Sequence, residues 1–407
     1  MRTRGGWRTW TRLSAVGLAA LALSGCASWR GERDYTPTGP VLRVATSGDY
    51  APFSIVNPED ELTGLDLALS GRLGQDLGRP VEIVRVAWPE LAAATQAGTF
   101  DIAMSGITMR PERALVGCFT RPYAVVGAVA LVRTTQLQRL PSAEALDRPG
   151  VRIAVNAGGH LERLARERFA QASIELVSDN QTVPQRLTDG AVDAAITDSA
   201  EVEGWLRPGL SVIGPFSIDY KAFLLPAAQT ELAGQVDVWL AEREEDGWLE
   251  RQRLQWMGPD AGMTPEVAAR NAVVAFIRLR LQLAPAIAAA KRGSDQPIED
   301  PGQEARVLER ARAAARRDPQ RAAAVYAQLI ALSKAVQQSA TPSDIDATLP
   351  ALREALARID AGLGRELDAP AAGTVDEWQR ALRESIDLPG LEPAMLDELA
   401  RLLAAPA

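Results

Sequence analysis

From residue 41 the chain alternates short β-branched apolar runs with longer stretches of helical period. Strand-like runs lie at 41–46 (VLRVAT), 81–86 (VEIVRV), 101–106 (DIAMSG), 128–134, 151–156, 174–178, 193–197 and 221–226, with helical stretches such as 64–77 and 160–171 between them. Such alternation predicts an α/β architecture with mainly parallel sheets. The runs fall into two lobes. The first takes about 41–132 and, through helical residues 227–258, also the end of the block. The second takes about 133–226, with a crossing near Val132-Arg133-Thr134. Two such lobes around a cleft form a binding geometry. After Gly258-Pro259-Asp260 the pattern changes, and no strand-like run follows residue 263. Thr264-Pro265-Glu266 reads as an N-cap, a first-turn proline and a first-turn acid. The helix it opens runs to about 292, and Pro285 should kink it. Further helices are expected from about 303, at 319–339, 344–366, 374–386 and 391–404, so residues 263–407 read as an all-α bundle. Helix 344–366 carries an apolar stripe of Leu349, Leu352, Leu356, Ile359 and Leu363. The first helix has a stripe of Val273, Ile277, Arg280, Ala284, Ile287 and Lys291. Two cations on an apolar face need an anion or a partner.

Composition narrows the chemistry. A length of 407 residues suits two or three domains. Net charge is −8 and the pI about 5.1, which argues against a nucleic-acid partner. A single histidine, His160, and two cysteines, Cys26 and Cys118, exclude multi-histidine metal sites and cysteine-rich clusters. Neither G-x-x-x-x-G-K-[ST] nor G-x-G-x-x-G occurs. No metal or cofactor is therefore expected. Residues 1–12 carry four arginines and no acid, and 13–25 are apolar and small. That is a secretory signal rather than a spanning helix, which needs about 20 apolar residues. Its end, Leu23-Ser24-Gly25-Cys26, resembles a bacterial lipoprotein lipobox. The resemblance implies a signal peptide over 1–26, lipidation of Cys26, a polar tether over 27–40 and a periplasmic, outer-membrane-anchored protein touching the membrane only through its lipid.

Residues 41–258 resemble the periplasmic amino-acid-binding proteins, and so imply a type II periplasmic-binding-protein fold. The resemblance is carried by Gly48-Asp49-Tyr50-Ala51-Pro52-Phe53-Ser54, Gly64-Leu65-Asp66, Phe100-Asp101-Ile102-Ala103, and Ser105-Gly106-Ile107-Thr108 with Glu112-Arg113. Within that superfamily, Trp88-Pro89 with Leu91, Ser178-Asp179-Asn180-Gln181-Thr182, Thr197-Asp198-Ser199-Ala200-Glu201 and Lys221 before Leu224-Leu225-Pro226 resemble the cyclohexadienyl dehydratases. Those enzymes convert prephenate to phenylpyruvate and arogenate to phenylalanine. The resemblance makes Arg113 the clamp on the α-carboxylate, Glu201 the general acid and Asp198 the partner of an α-amino group. Thr46, Ser105 and Thr108 would add hydroxyl donors, and Asn156, Gly159 and Lys221 would also line the substrate. The chain departs from the usual Asn-Pro-Gly-Gly-Thr-Asn-Glu at Asn156-Ala157-Gly158-Gly159-His160-Leu161-Glu162. Here His160 either binds substrate or caps its helix.

Residues 263–407 resemble the all-helical AroQ class of chorismate mutases, in particular the secreted type. Arg280, Lys291, Gln296-Pro297-Ile298-Glu299-Asp300-Pro301, Glu304 and Leu332-Ser333-Lys334-Ala335-Val336-Gln337 carry the resemblance. It implies that Arg280 grips a carboxylate and that Lys291 and Gln337 donate to the ether oxygen. Asp300, Glu304 and Ser333 would bind the ring hydroxyl or order the cations. Gln303 stands where the family has arginine, with Arg306 one turn on, and Arg365 is the candidate late-helix arginine. Together the two resemblances imply a bifunctional chorismate mutase and cyclohexadienyl dehydratase whose partners are chorismate and prephenate or arogenate. The oligomeric state stays open, a dimer through the mutase domain being one arrangement. The alternative is a mutase fused to a non-catalytic amino-acid or solute-binding domain.

Overall fold

The computed structural model describes residues 39–405 except 58, 340–342 and 370–372. The expected signal peptide, the lipobox with Cys26, and most of the tether lie outside the described residues.

Strand Leu42–Thr46 is buried at every position but Arg43, which suits the centre of a sheet covered on both faces. It pairs in parallel with Val81–Arg85 on one side and Ile102–Ala103 on the other. Leu224–Pro226, antiparallel to both its neighbours, and Gly117–Phe119 complete this five-stranded sheet. A second five-stranded sheet runs in the order Ser173–Val177, Arg152–Asn156, Ala194–Asp198, Ala128–Arg133, Leu210–Ile213. Its first three strands are parallel. Ala128–Arg133 runs antiparallel to both its neighbours, so the sheets are mixed rather than mainly parallel.

This strand corrects the expected crossing at 132–134. Residues Ala128 to Val132 are buried without a break, a pattern only a central strand accommodates. The chain therefore crosses before it, at about Gly127. It returns through the ribbon of Ala124–Val126 and Asp219–Lys221, antiparallel with Ala124 opposite Lys221. Leu224–Pro226 then already belongs to the first sheet.

The C-terminal part is entirely helical among the described residues. Thr264 caps Pro265–Gln282 by accepting from the Val267 amide. The helical path is interrupted at Leu283, and Ala284–Gly293 continues it with Pro285, which lacks an amide proton, in its first turn. Pro265–Gly293 is apolar and long enough to cross a membrane, but most of it is buried in the bundle. Pro319–Ser339, Leu349–Leu367 and Val375–Ser385 pack against it, and Pro301–Ala314 and Pro393–Ala404 pack in turn on Pro319–Ser339.

The bundle docks on the first lobe. Arg358 donates to the carbonyls of Ala114 and Leu115, both at 3.0 Å, and of Gly117 at 3.3 Å. These are carbonyls left without helical partners where Pro111–Val116 ends, and a cation is favoured there. Tyr220 and Ser385 share a hydrogen bond of 2.7 Å. Buried apolar residues run without interruption from Phe119 and Leu224 of the lobe to Phe276 and Leu363 of the bundle. Around them Arg365 reaches Asp237 at 2.6 Å and Arg121 lies 3.6 Å from Glu366.

Burial pushes the Glu366 carboxyl up to about 7 and raises Asp237 as well, against the pull of Arg121 and Arg365. An acid whose pKa is raised on folding binds more protons folded than unfolded between its ordinary value and the raised one. Its contribution is full in mild acid and is lost as pH rises through about 7. Glu366→Gln should therefore flatten the fall in unfolding free energy between pH 5 and 8, by on the order of 1–3 kcal/mol. Chemical denaturation at both pH values checks this; an unchanged pH dependence would contradict it.

Candidate active sites

The first site lies between the lobes, outside the C-terminal ends of the parallel strands, where open α/β sheets bind ligands. Tyr50, Trp88, Gly106, Thr108 and Arg113 line it from the first lobe. Asn156, Gly159, His160, Asn180 and Glu201 face them from the second, and Lys221 comes from the ribbon.

Glu201 is 2% exposed, in the short turn between strand Ala194–Asp198 and the following helix. Its oxygens accept from Asn180 Nδ2 and Thr197 Oγ1, both at 2.6 Å. Burial dominates these bonds and, with the charge of Asp198 beside it, raises the carboxyl to about 8. Glu201 thus holds its proton at neutral pH. Arg113 donates to the Thr108 carbonyl at 3.0 Å and stacks 5.7 Å from the Trp88 ring. Among the described residues no carboxylate lies within ion-pair distance of it. Burial, followed by the nearby Arg110, lowers its pKa to about 10, and an anion in the cleft relieves both effects.

Lys221, 2% exposed, sits 3.0 Å from Asp198 Oδ2 and donates to Tyr50 Oη and Thr108 Oγ1 at 3.0 and 2.9 Å. Asp198 is fully buried and accepts from the Tyr50 hydroxyl at 2.7 Å, so it does not face the cleft as expected. Thr46 and Ser105 are also withdrawn. Thr46 donates to Ser54 Oγ at 2.6 Å, and Ser105 pairs with Ser47, in a recess on the far side of Trp88. Short side chains at a strand end reach their own loop before they reach a ligand. Asn156 and Gly159 do line the cleft.

His160 opens its helix, and Gly159, not the imidazole, is the cap. Its Nδ1 faces Arg110 Nη1, which can only donate, so the ring hydrogen sits on Nε2, 3.0 Å from Asp219 Oδ1 but not aligned into a hydrogen bond. The imidazole holds Asp219 well below the usual carboxylate range. Tyr50, Trp88 and Asn180 belong to motifs visible in the sequence, yet their place in the wall was not anticipated. Nothing local signalled Arg110.

The second site lies inside the bundle. Arg280, Lys291, Asp300, Gln303, Glu304, Ser333 and Gln337 converge there, joined by Lys334 and Arg353. Arg280 is 4% exposed and donates to Asp360 Oδ1 at 2.9 Å. Lys291 donates to the Ile298 carbonyl at 2.5 Å, and burial lowers its pKa. Asp300 caps its helix and accepts from Arg353 at 3.3 Å; Glu304 pairs with Lys334. Gln337 donates to Ser333 at 3.1 Å, and its buried Oε1 has no partner among the described residues. Gln303 is held by Arg306 rather than replaced by it. Four cations against two carboxylates line this pocket, a balance that suits a dianion.

Arg365 is not in it. It lies 12 positions beyond Arg353 on Leu349–Leu367, about 18 Å along the axis and a third of a turn around it. It ends on Asp237 of the first lobe instead. The arginine that helix Leu349–Leu367 brings to the pocket is Arg353, its fifth residue. A larger recess of 410 Å³ between Pro301–Ala314, Pro319–Ser339 and Leu349–Leu367 is lined by Arg310 and Arg321 against Asp318, Asp360 and Asp368, a poor match for an anion.

Residues 42–259, over half of the chain, match the bacterial extracellular solute-binding proteins, family 3, and the chain belongs to that family. Residues 271–338 match chorismate mutase type II. The architecture is thus a type II periplasmic-binding-protein fold followed by a helical chorismate mutase domain. Cyclohexadienyl dehydratase of Pseudomonas aeruginosa is 36% identical over 248 residues, covering 59% of this chain and 92% of that protein. The L-cystine-binding protein of Escherichia coli is 26% identical over 223 residues, 54% of this chain and 83% of its own. Among solved structures, an ancestral amino acid-binding protein, a precursor of cyclohexadienyl dehydratase, shares 33% identity at a TM-score of 0.51, covering 53% of this chain and 95% of its own.

The Glu201 environment has a direct readout. Carbon-13 NMR of labelled glutamate should show one side chain titrating near pH 8. Thr197→Val, which removes a hydrogen bond that favours the charged form, should move that titration higher. A Glu201 signal that titrates in the ordinary carboxylate range would remove it as a proton donor.

Proposed function

We propose that the chain converts chorismate to phenylpyruvate in two steps, rearrangement in the bundle and dehydration in the cleft. The observation that carries the second step is the neutral, buried Glu201 opposite an arginine that lacks a carboxylate partner. A transport receptor has no use for a held proton at that place.

Rearrangement of chorismate to prephenate is pericyclic and needs no proton transfer. The pocket has to hold the compact conformer and stabilise negative charge developing on the ether oxygen. Arg280 and Arg353 would take the two carboxylates. Lys291, close to that oxygen in this reading, would donate to it. Gln337 would join it with its amide turned over, so that Ser333 donates to Oε1 and Nε2 faces the substrate. Asp300 and Glu304 would keep Arg353 and Lys334 in place and meet the ring hydroxyl.

In the cleft, Arg113 would clamp a carboxylate of prephenate with its guanidinium fork. Glu201 would protonate the departing ring hydroxyl. Water leaves as the C–O bond breaks, and the ring carboxylate leaves as CO2 while its bonding electrons complete the aromatic ring. Glu201 ends as a carboxylate accepting from Thr197 and Asn180, and regains its proton from solvent. Neither step calls on a metal or cofactor. The periplasmic relatives support a periplasmic location, with the lipidated Cys26 as the proposed anchor.

Glu201→Gln should block phenylpyruvate formation by about 10²–10⁴-fold near neutral pH while chorismate is still consumed, so that prephenate accumulates. Full dehydration by this variant would favour the binding-domain alternative. Lys291→Ala should slow chorismate turnover by on the order of 10²–10³ and leave dehydration of added prephenate intact. Arg353→Ala should weaken mutase kcat/KM strongly and Arg365→Ala hardly at all; the reverse order would restore the arginine expected from sequence. Cys26→Ala should release the protein from membranes into the soluble periplasmic fraction, and retention on membranes would refute the anchor.

A further inference from the structure

Two cations stand on the buried stripe of Pro265–Gly293, and the fold answers them differently. Lys291 meets a neutral group, the Ile298 carbonyl. Arg280 meets a carboxylate: its Nε donates to Asp360 Oδ1 at 2.9 Å, across 80 positions of the chain. Helix Leu349–Leu367 sets Leu349, Arg353 and Leu356 into the pocket wall, and Asp360 continues that face one turn further on. Asp360 itself does not line the pocket. It lines the neighbouring recess, with Val307 common to both.

The Asp360 contact decides which part of the guanidinium is left for a ligand. Nε is taken, and Nη1 lies 3.5 Å from the Leu329 carbonyl, a long and weak bond. Nη2 has no partner among the described residues, so the Nη end of the fork is the part free for a carboxylate. Tyr326 donates to the Asp360 main-chain carbonyl at 2.9 Å and so ties the acid's helix to Pro319–Ser339. An arginine without such a hold has many rotamers, and ordering them at the moment of binding costs affinity. The carboxylate also balances the charge of Arg280, which would otherwise be buried unpaired in the empty pocket.

We infer that Asp360 is a positioning residue for the rearrangement: it holds Arg280 by Nε so that the Nη end receives a carboxylate of chorismate. The inference rests on the mutase reading of the bundle. Asp360 touches no substrate and acts only through Arg280. A carboxylate gripped alike in the ground state and the transition state contributes uniform binding, so loss of Asp360 should appear in KM more than in kcat.

The test measures chorismate turnover by the full chain and by Asp360→Ala, Asp360→Asn, Arg280→Ala and the double variant Asp360→Ala/Arg280→Ala. Asp360→Ala should lower kcat/KM by about 10–100-fold, mostly through KM. Asp360→Asn, whose Oδ1 still accepts from Nε, should keep most of the activity. Added to Arg280→Ala, Asp360→Ala should cost no more than about twofold, because the residue it acts through is gone. Dehydration of added prephenate reports that each variant is folded. Where Asp360→Ala does not fold, Asp360→Glu takes its place: it keeps the ion pair but shifts Arg280, so KM should still rise. An unchanged KM in the single variant overturns the inference. So does an undiminished loss when the substitution is added to Arg280→Ala, which marks a role independent of the arginine. If the natural protein does not rearrange chorismate, the mutase reading fails separately, and calorimetric titration with chorismate decides the positioning. Binding that Asp360→Ala weakens at least about tenfold supports it; binding that the variant leaves unchanged, or no binding to the natural protein, overturns it.

Discussion

The ion pair between Lys221 and Asp198 is the contact on which the cleft depends. Lys221 comes from the ribbon that joins the lobes, Asp198 from the end of a strand in the second sheet, and Tyr50 and Thr108 from the first lobe. One buried ammonium therefore meets all three parts of the two-lobed domain. Such a pair adds little net stability over an apolar core, but removing either partner strands a buried charge, which costs about 3–5 kcal/mol. It fixes geometry more than it stabilises. With that geometry set, Glu201 three residues beyond Asp198 is held against Thr197 and Asn180, and its acidity follows from burial.

Both pockets solve the same electrostatic problem by different means. Each has more cations than carboxylates in its wall. In the bundle Asp300 and Glu304 pair with Arg353 and Lys334 and order them. In the cleft the acid that faces the ligand is neutral, so the excess comes from withholding a negative charge. The difference tracks the chemistry. A pericyclic step needs a rigid cage of donors, whereas a dehydration needs a proton held ready in a site that also attracts an anion.

Much of this was legible along the chain, and the failures share a cause. The alternation of strands and helices and the change at 258–264 mark the architecture, because periodicity is a local property. Arg280, Lys291, Asp300 and Glu304 converge as expected, since helix phase and the cap at Asp300 fix their faces. Arg365 was misplaced because the direction it faces is set by the lobe beneath it, and its partner Asp237 lies 128 positions away. Asp198 was read as open because Tyr50, which closes it, is 148 positions away. His160 could not be read either way: Arg110 and Asp219, which fix its tautomer, are brought to it only by the fold.

The seat of Arg358 bears on how such a fusion can be taken apart or rebuilt. The helix it caps, Pro111–Val116, carries Arg113 into the cleft, and the carbonyls it receives end that helix. A guanidinium of the bundle thus closes the backbone that places Arg113, the proposed substrate clamp, in the cleft of the first domain. The linker at 258–264 is a boundary in sequence only. A gene-shuffling experiment that cuts there would move a coding unit that is not a mechanical one, and a replacement bundle would have to supply both the apolar face and the cation. The lineage that joined these domains could therefore drift toward mutual reliance without altering a single residue of either pocket.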